Sequence, residues 1–273
     1  MSVSGIGFNR CFLYAIDSSG RAIPRATLST NPAFGLQVTG ARALTIQPAE
    51  ARILTHTGDD RVLATVLLPP DDPTRGELRT AISNLDLDAW LQSLSGASTA
   101  IVPFATLAPL ATDRQGQERQ VWVMAQRSAV VTDYNSSSYG QSRFYTVFFR
   151  AVLFPRGSTW EYGGTDENVY NIVAQNSNVY PWGEAIPNTE GYRDYTFLRV
   201  VTARPLRLAV AAGDGTDTTF PLPEPAYDAS TIRIYVNGVA QASGWSLSGD
   251  GSTVTFTVAP AANTVIHFLY ERR

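Results

Sequence analysis

Residues 119–156 (RQVWVMAQRSAVVTDYNSSSYGQSRFYTVFFRAVLFPR) constrain this chain more than any other stretch. Two apolar runs, 119–132 and 143–154, flank a polar loop, 133–142, rich in the turn-forming residues Asn, Ser and Gly. The runs carry β-branched and aromatic residues without a 3.6-residue period, which predicts two antiparallel strands. At ~3.4 Å per residue each reaches roughly 40 Å, about twice an ordinary strand. Neither run has a polar face. Val121, Val123, Ala125 and Ala129 alternate with Trp122, Met124 and Val130; Phe144, Phe148, Val152 and Phe154 alternate with Tyr145, Val147, Phe149 and Leu153. Such a sheet must be covered on both sides. The cover comes either from the chain itself, as in a self-contained sandwich, or from other copies of the protein.

Elsewhere the pattern is again one of strands and turns. Residues 11–16, 51–55, 61–68 and 76–82 read as strands, 56–60 as a hairpin connection, and 31–40, with Pro32, Gly35 and Gly40, as a loop. Leu87, Trp90, Leu91 and Leu94 recur at helical spacing between Asp86 and Gly96, predicting one amphipathic helix over 86–94. Thr165 can cap a short helix over 165–175. Beyond Arg204-Pro205 the chain turns to short alternating strands with hairpin signals at Asn237-Gly238 and Asp250-Gly251. The expected fold is mainly β. A β-sandwich with a long central hairpin and one flanking α-helix occupies 1–205, and a small all-β sandwich of half-buried strands, 206–273, is appended to it. An appended domain is removable, so residues 1–205 alone are expected to stay soluble and to assemble.

Several kinds of chemistry are excluded. All 21 basic residues are Arg, so a lysine-bearing phosphate loop and a Schiff-base lysine are absent. The net charge is −3 and neither part of the chain is basic, which argues against sequence-reading nucleic-acid binding. Cys11 is the one cysteine and reads as a buried apolar residue. Of the two histidines, His56 reads as a solvated turn residue and His267 as a surface position of the last strand. Asp214-Gly215-Thr216-Asp217 lacks most of a calcium loop's ligands and reads as a turn. Glu161, Asp166, Glu167, Glu184, Glu190 and Asp194 stand among aromatics, as in a glycosidase or a sugar-binding surface, but spacing identifies no pair. No catalytic residue, cofactor or metal is therefore expected. The apolar run 100–111 is short and broken by Pro103 and Pro109, and residues near the start lack the charge and apolar core of a signal peptide. Synthesis in a cytoplasm without membrane anchoring is expected.

Binding is legible instead in two aromatic stretches. Residues 157–197 hold Trp160, Tyr162, Tyr170, Tyr180, Trp182, Tyr192 and Tyr195 among Gly, Asn and Pro, a composition suited to a subunit interface. The hairpin loop holds Tyr134, Asn135, Ser136, Tyr139 and Gln141, which can anchor contacts between assembled copies.

The run 53–94 (ILTHTGDDRVLATVLLPPDDPTRGELRTAISNLDLDAWLQSL) contains a GDD-type hairpin, a strand ending at prolines, another strand and an LDLDAWLQSL helix. In that order of elements it resembles the tail tube (major tail) proteins of long-tailed bacteriophages, and the long hairpin fits the same plan. The stretch GDGTDTTFPLP, followed by IYVNG and TVTFT, looks like the β-domains appended to phage tail and fibre proteins. The resemblance implies a virion tail protein, hexameric in rings whose inner sheets join into a barrel, the rings stacking into a conduit for DNA. Its implied partners are further copies of itself, the tape measure, terminator and baseplate proteins, and DNA in passage. The alternatives are another phage component (distal tail, baseplate or head cement) and a carbohydrate-binding tail-tip or fibre protein. If loop 133–142 contacts the next ring, replacing residues 134–141 with an Asn-Gly turn should abolish tubes but keep rings in negative-stain micrographs. Unchanged tubes would exclude that role.

Overall fold

The computed structural model describes residues 10–23, 33–38, 40–47, 52–58, 61–68, 75–80, 119–130, 137, 140–153, 168–175, 177–186 and 198–273. The protein is mainly β, and all the strand pairings are antiparallel. The strands Arg119–Val130 and Ser142–Leu153 form the expected hairpin, in register from Ser142 opposite Val130 to Leu153 opposite Arg119. This hairpin is the centre of a nine-stranded sheet. Arg10–Ile16 flanks it on one side; Asn168–Gln175, Arg75–Thr80 and Ala41–Gln47 follow on the other. Leu198–Thr202 shares the outer edge of Ser142–Leu153 with Asn168–Gln175, pairing nearer the hairpin tip.

The second apolar face of the hairpin is covered by the chain's own C-terminal part. On one face Val121, Val123, Phe149 and Ala151 are buried with Cys11, Leu13, Leu78 and Ile172. On the other, Trp122, Met124 and Phe148, with Phe12 and Tyr14, pack against Leu206, Leu208, Val210, Tyr235, Val265 and Leu269. These last residues belong to a five-stranded sheet built around Leu206–Ala212, Val265–Glu271 and Ile232–Val236. Its far side, including Ala209, Ile234, Ile266 and Phe268, packs in turn on Phe220, Leu222, Val254 and Phe256 of a three-stranded sheet. The body is thus three layers of sheet, with the five-stranded one in the middle.

Several sequence expectations change. The middle sheet is not half-buried: all seven residues of Leu206–Ala212 and six of the seven in Val265–Glu271 are buried, because layers lie on both sides. The predicted helix over 165–175 is a strand, Asn168–Gln175, held between two partner strands; its β-branched Ile172 and Val173 suit that pairing. The predicted loop 31–40 contains two short strands, Ala33–Phe34 in the middle sheet and Leu36–Gln37 in the large one. Gly35 makes the crossing, and a Cβ there would stand 2.6 Å from the Leu13 carbonyl oxygen. His56 lies in the strand Arg52–Gly58 rather than in a turn, paired with Arg61–Leu68 and interrupted by a register shift after His56. The predicted helix over 86–94 lies outside the described residues.

At Arg204-Pro205 the chain changes sheet, while the packing continues across that point through the shared layer. Uncovering a large apolar side chain costs about 1.5–3 kcal/mol, and truncation after Pro205 would uncover Phe12, Tyr14, Trp122, Met124 and Phe148 together. The shared core therefore reverses the expectation of a removable domain. The 1–205 fragment should be insoluble or molten, with ANS binding and no cooperative melt; a soluble fragment with a sharp transition would contradict this.

Candidate interaction surface

At one end of the layered body, a turn of the large sheet is fastened to a hairpin of the middle sheet. Asp17 Oδ1 accepts from the backbone N–H groups of Ser19 and Arg21 at 2.9 Å, and Oδ2 accepts from Arg21 Nε at 2.9 Å. Burial pushes the Asp17 carboxyl up, but these bonds outweigh it and hold the group below the usual carboxylate range. Arg21 Nη1 then donates to Asn237 Oδ1 at 3.0 Å. Asn237 and Gly238, with φ of 49° and 81°, form the two-residue turn foreseen in the sequence. Gly238 lies directly on the backbone of Gly183, where a Cβ would stand 2.5 Å from the Gly183 carbonyl oxygen, and a Cβ on Gly183 would meet the Arg21 side chain.

Beside this contact, Trp182 is stacked on Tyr180 (5.0 Å between centroids) and on Tyr235 (5.5 Å), with the Phe148 ring at right angles to it. Its indole N–H donates to Glu184 Oε2 at 2.9 Å. Trp182 is 6% exposed. The residue considered for a subunit interface or a sugar platform is therefore enclosed by its own chain, with Tyr180 half-buried against it. Gln141 is exposed, and its Oε1 accepts from Arg143 Nη2 at 2.6 Å. Tyr170 stands in the strand Asn168–Gln175. Tyr134, Asn135, Ser136, Tyr139, Trp160, Tyr162, Tyr192 and Tyr195 lie outside the described residues.

Two polar centres went unread in the sequence. His267 is fully buried between the large and middle sheets, not on a surface. Its Nε2 stands 2.7 Å from the carbonyl oxygen of Ala22. A carbonyl only accepts, so Nε2 carries a proton, while Nδ1 is buried without a partner that a second proton could bond. Burial pushes its pKa down to about 4; the cation of Arg21 adds to this, while the Ala22 bond and Asp17 oppose it. The second centre is Glu224, which receives Arg207 through Nε (2.7 Å) and Nη2 (3.1 Å), Arg10 at 3.1 Å and Arg272 at 3.3 Å. Burial raises the Glu224 carboxyl, but the arginines prevail and hold it low. The cluster joins residues from the start of the first described strand to the end of the last.

Both centres do structural work. Among the described residues, no group of three or more His, Cys, Asp and Glu is placed to hold a metal. The Cys11 thiol is buried and pushed up to about 12, which keeps it protonated and unreactive. Asp214-Gly215-Thr216-Asp217 is a tight turn in which Asp214 Oδ1 accepts from the N–H groups of Thr216 and Asp217, each at 2.7 Å. Among the described residues no helix is long and apolar enough to cross a membrane.

Among the described residues, the exposed large apolar side chains are Val130, Val201, Tyr227, Val239 and Val258; the first two lie on the outer third of the long hairpin. There Leu198–Thr202 is added to the two hairpin strands, with Leu198 and Val200 half-buried against the core on one face and Arg199 and Val201 exposed on the other. Val130 and Val201 are 58% and 61% exposed, and Arg199 is exposed. Arg127 lies over the Tyr145 ring at 5.1 Å from its centroid.

The buried neutral His267 generates a pH prediction. Its folded pKa lies below the unfolded value, so the unfolded chain takes up the proton first, and this group's contribution is lost as pH falls from about 6.5 to about 4. The loss is about 3 kcal/mol. Urea unfolding should give a steeper fall between pH 6.5 and 4.5 for the native chain than for His267→Gln, and equal slopes would refute the assignment. No protein-family model and no curated protein matches the sequence.

Proposed function

We propose that this chain is a virion structural protein: a tail tube subunit of a long-tailed bacteriophage, assembling into rings that stack into a conduit for DNA. The reading rests on the resemblance carried by residues 53–94 and by the stretch from Gly213 through the TVTFT motif ending at Thr257. The structural observation that supports it is the outer third of the long hairpin, where Val201 is exposed beside Arg199 on one face and Val130 is exposed nearer the tip on the other. Exposed β-branched side chains on a rigid sheet end suit burial against a neighbouring subunit. The polar centres agree with a scaffold, since buried His267 and half-buried Glu224 bond to groups of distant segments of their own chain, and buried Trp182 stacks on Tyr235. In the same reading, the tape measure, terminator and baseplate proteins are its partners, and DNA passes without being held. The near-neutral charge of the chain suits such passage, because strong phosphate contacts would retain the DNA.

Electron microscopy of the purified full chain at high concentration tests this. Rings of uniform diameter and tubes built from them are the expected outcome. A protein that remains a monomer or forms compact trimers under all conditions would exclude the tube subunit.

A further inference from the structure

We propose that the outer face of the long hairpin docks the acidic turn at the opposite end of a second copy of this chain, joining Arg127 and Arg199 of one copy to Asp214 and Asp217 of the next. The inference deepens the tail reading and rests on it in one respect: it supplies the contact between stacked rings.

The register of three strands places the cationic side. Val147 is opposite Ala125 and Arg199, and Tyr145 is opposite Arg127 and Val201. At ~4.8 Å between strands and ~6.8 Å between same-face residues along a strand, Arg127 and Arg199 stand on a diagonal of about 12 Å across Tyr145. Val147 belongs to the edge of the buried cluster on that side, so this is the face turned away from the middle sheet. Arg143 occupies the next row, bonded to Gln141 and to the Ser142 carbonyl. Among the described residues, no Asp or Glu stands on this part of the face. A chain of net charge −3 thus carries a local positive surface with an aromatic centre.

The anionic side lies at the other end. Gln126, next to Arg127 but pointing to the other face of the sheet, donates to the Leu206 carbonyl at 3.4 Å, so the strand Leu206–Ala212 begins at the same end as the cationic residues, behind them. It runs roughly 20 Å away, to Gly213 and the turn that follows. Asp214 and Asp217 are exposed there. Hydrogen bonds from Asp217, Thr216 and the Thr216 hydroxyl hold the Asp214 carboxyl below the usual range, so it is ionised and rigidly placed. The two charged surfaces are too far apart to meet within one copy. Unlike surfaces at opposite ends make a heterologous contact, which propagates from copy to copy. A nucleic-acid backbone suits the face less well, since such binding gathers many phosphate contacts and this chain as a whole carries no cationic surplus, with a net charge of −3.

The test is charge exchange in the full chain, read by sedimentation velocity and negative-stain microscopy. The native protein should self-associate at about 50 mM salt and dissociate as salt rises to about 500 mM. Arg199→Glu or Asp217→Arg should each weaken association about tenfold, and the double variant Arg199→Glu, Asp217→Arg should recover it. Both positions are exposed, and unchanged circular dichroism and melting confirm folding. Single variants that associate like the native chain, a double variant that does not recover, or a native chain that never associates would each overturn the contact. So would oligonucleotide binding lost in Arg199→Glu without any effect on self-association. Rings whose stacking ignores these charges would leave the tail reading standing and remove this contact. Charge-exchangeable association without rings or tubes would do the reverse.

Discussion

Everything else in this structure depends on the apolar layer between the large and middle sheets. A strand hairpin with no polar face has no stable existence in water unless both faces are covered. Here the far half of the chain supplies the second cover. Trp122, Met124 and Phe148 meet Leu208, Val210 and Leu269 across that layer. The middle sheet faces the same requirement on its other side, which the three-stranded sheet meets with Phe220, Val254 and Phe256. One unsatisfied face thus propagates through the fold until it reaches a sheet with a solvated side.

An apolar layer alone fixes thickness but not alignment, since two greasy sheets can slide. Alignment comes from polar tips that cross the layer and bond to backbone. The Tyr14 hydroxyl donates to the Leu208 carbonyl at 3.0 Å, and His267 Nε2 donates to Ala22. Trp122 Nε1 similarly ties its strand to the 17–20 turn through the Gly20 carbonyl at 2.7 Å. A buried donor left without a partner costs about 1–3 kcal/mol, so each bond penalises a shifted arrangement. The backbone contact of Gly183 with Gly238 acts in the same sense by steric means. Apolar burial drives the layers together, and these few bonds select one registration.

How much of this was legible follows from which information is local. The hairpin and the Asn237-Gly238 turn were readable because alternation and turn chemistry act over a few residues, while the pairing of Ser142 with Val130 was not. The need for a second cover was readable too; its source was not, because nothing in the composition of 119–156 says which distant segment answers it. A continuous apolar strand such as LRLAVAA could have suggested a layer buried on both faces, but its neighbours alternate and drew the reading toward half-burial. His267 was misplaced for the same reason, since in a strand covered on both sides even a histidine points inward. Trp182 looked available because sequence shows an amphipathic ring and not the Tyr180 and Tyr235 rings enclosing it. The strand over 168–175 lost its identity to a capping Thr, a local signal overridden by the two strands that pair with it.

Internal cover of the hairpin also changes what an assembly contact can be. If the second face had been open, subunits could have joined through a broad apolar surface with little specificity of angle. With that face filled by Leu206, Leu208 and their neighbours, the proposed contact falls on the narrow outer end, where Val201 and Tyr145 lie among arginines. A small surface supplies modest burial, so orientation has to come from charge placed at fixed positions on rigid strands and turns. If copies of this chain associate as proposed, the face filled by its own C-terminal part is not where they meet.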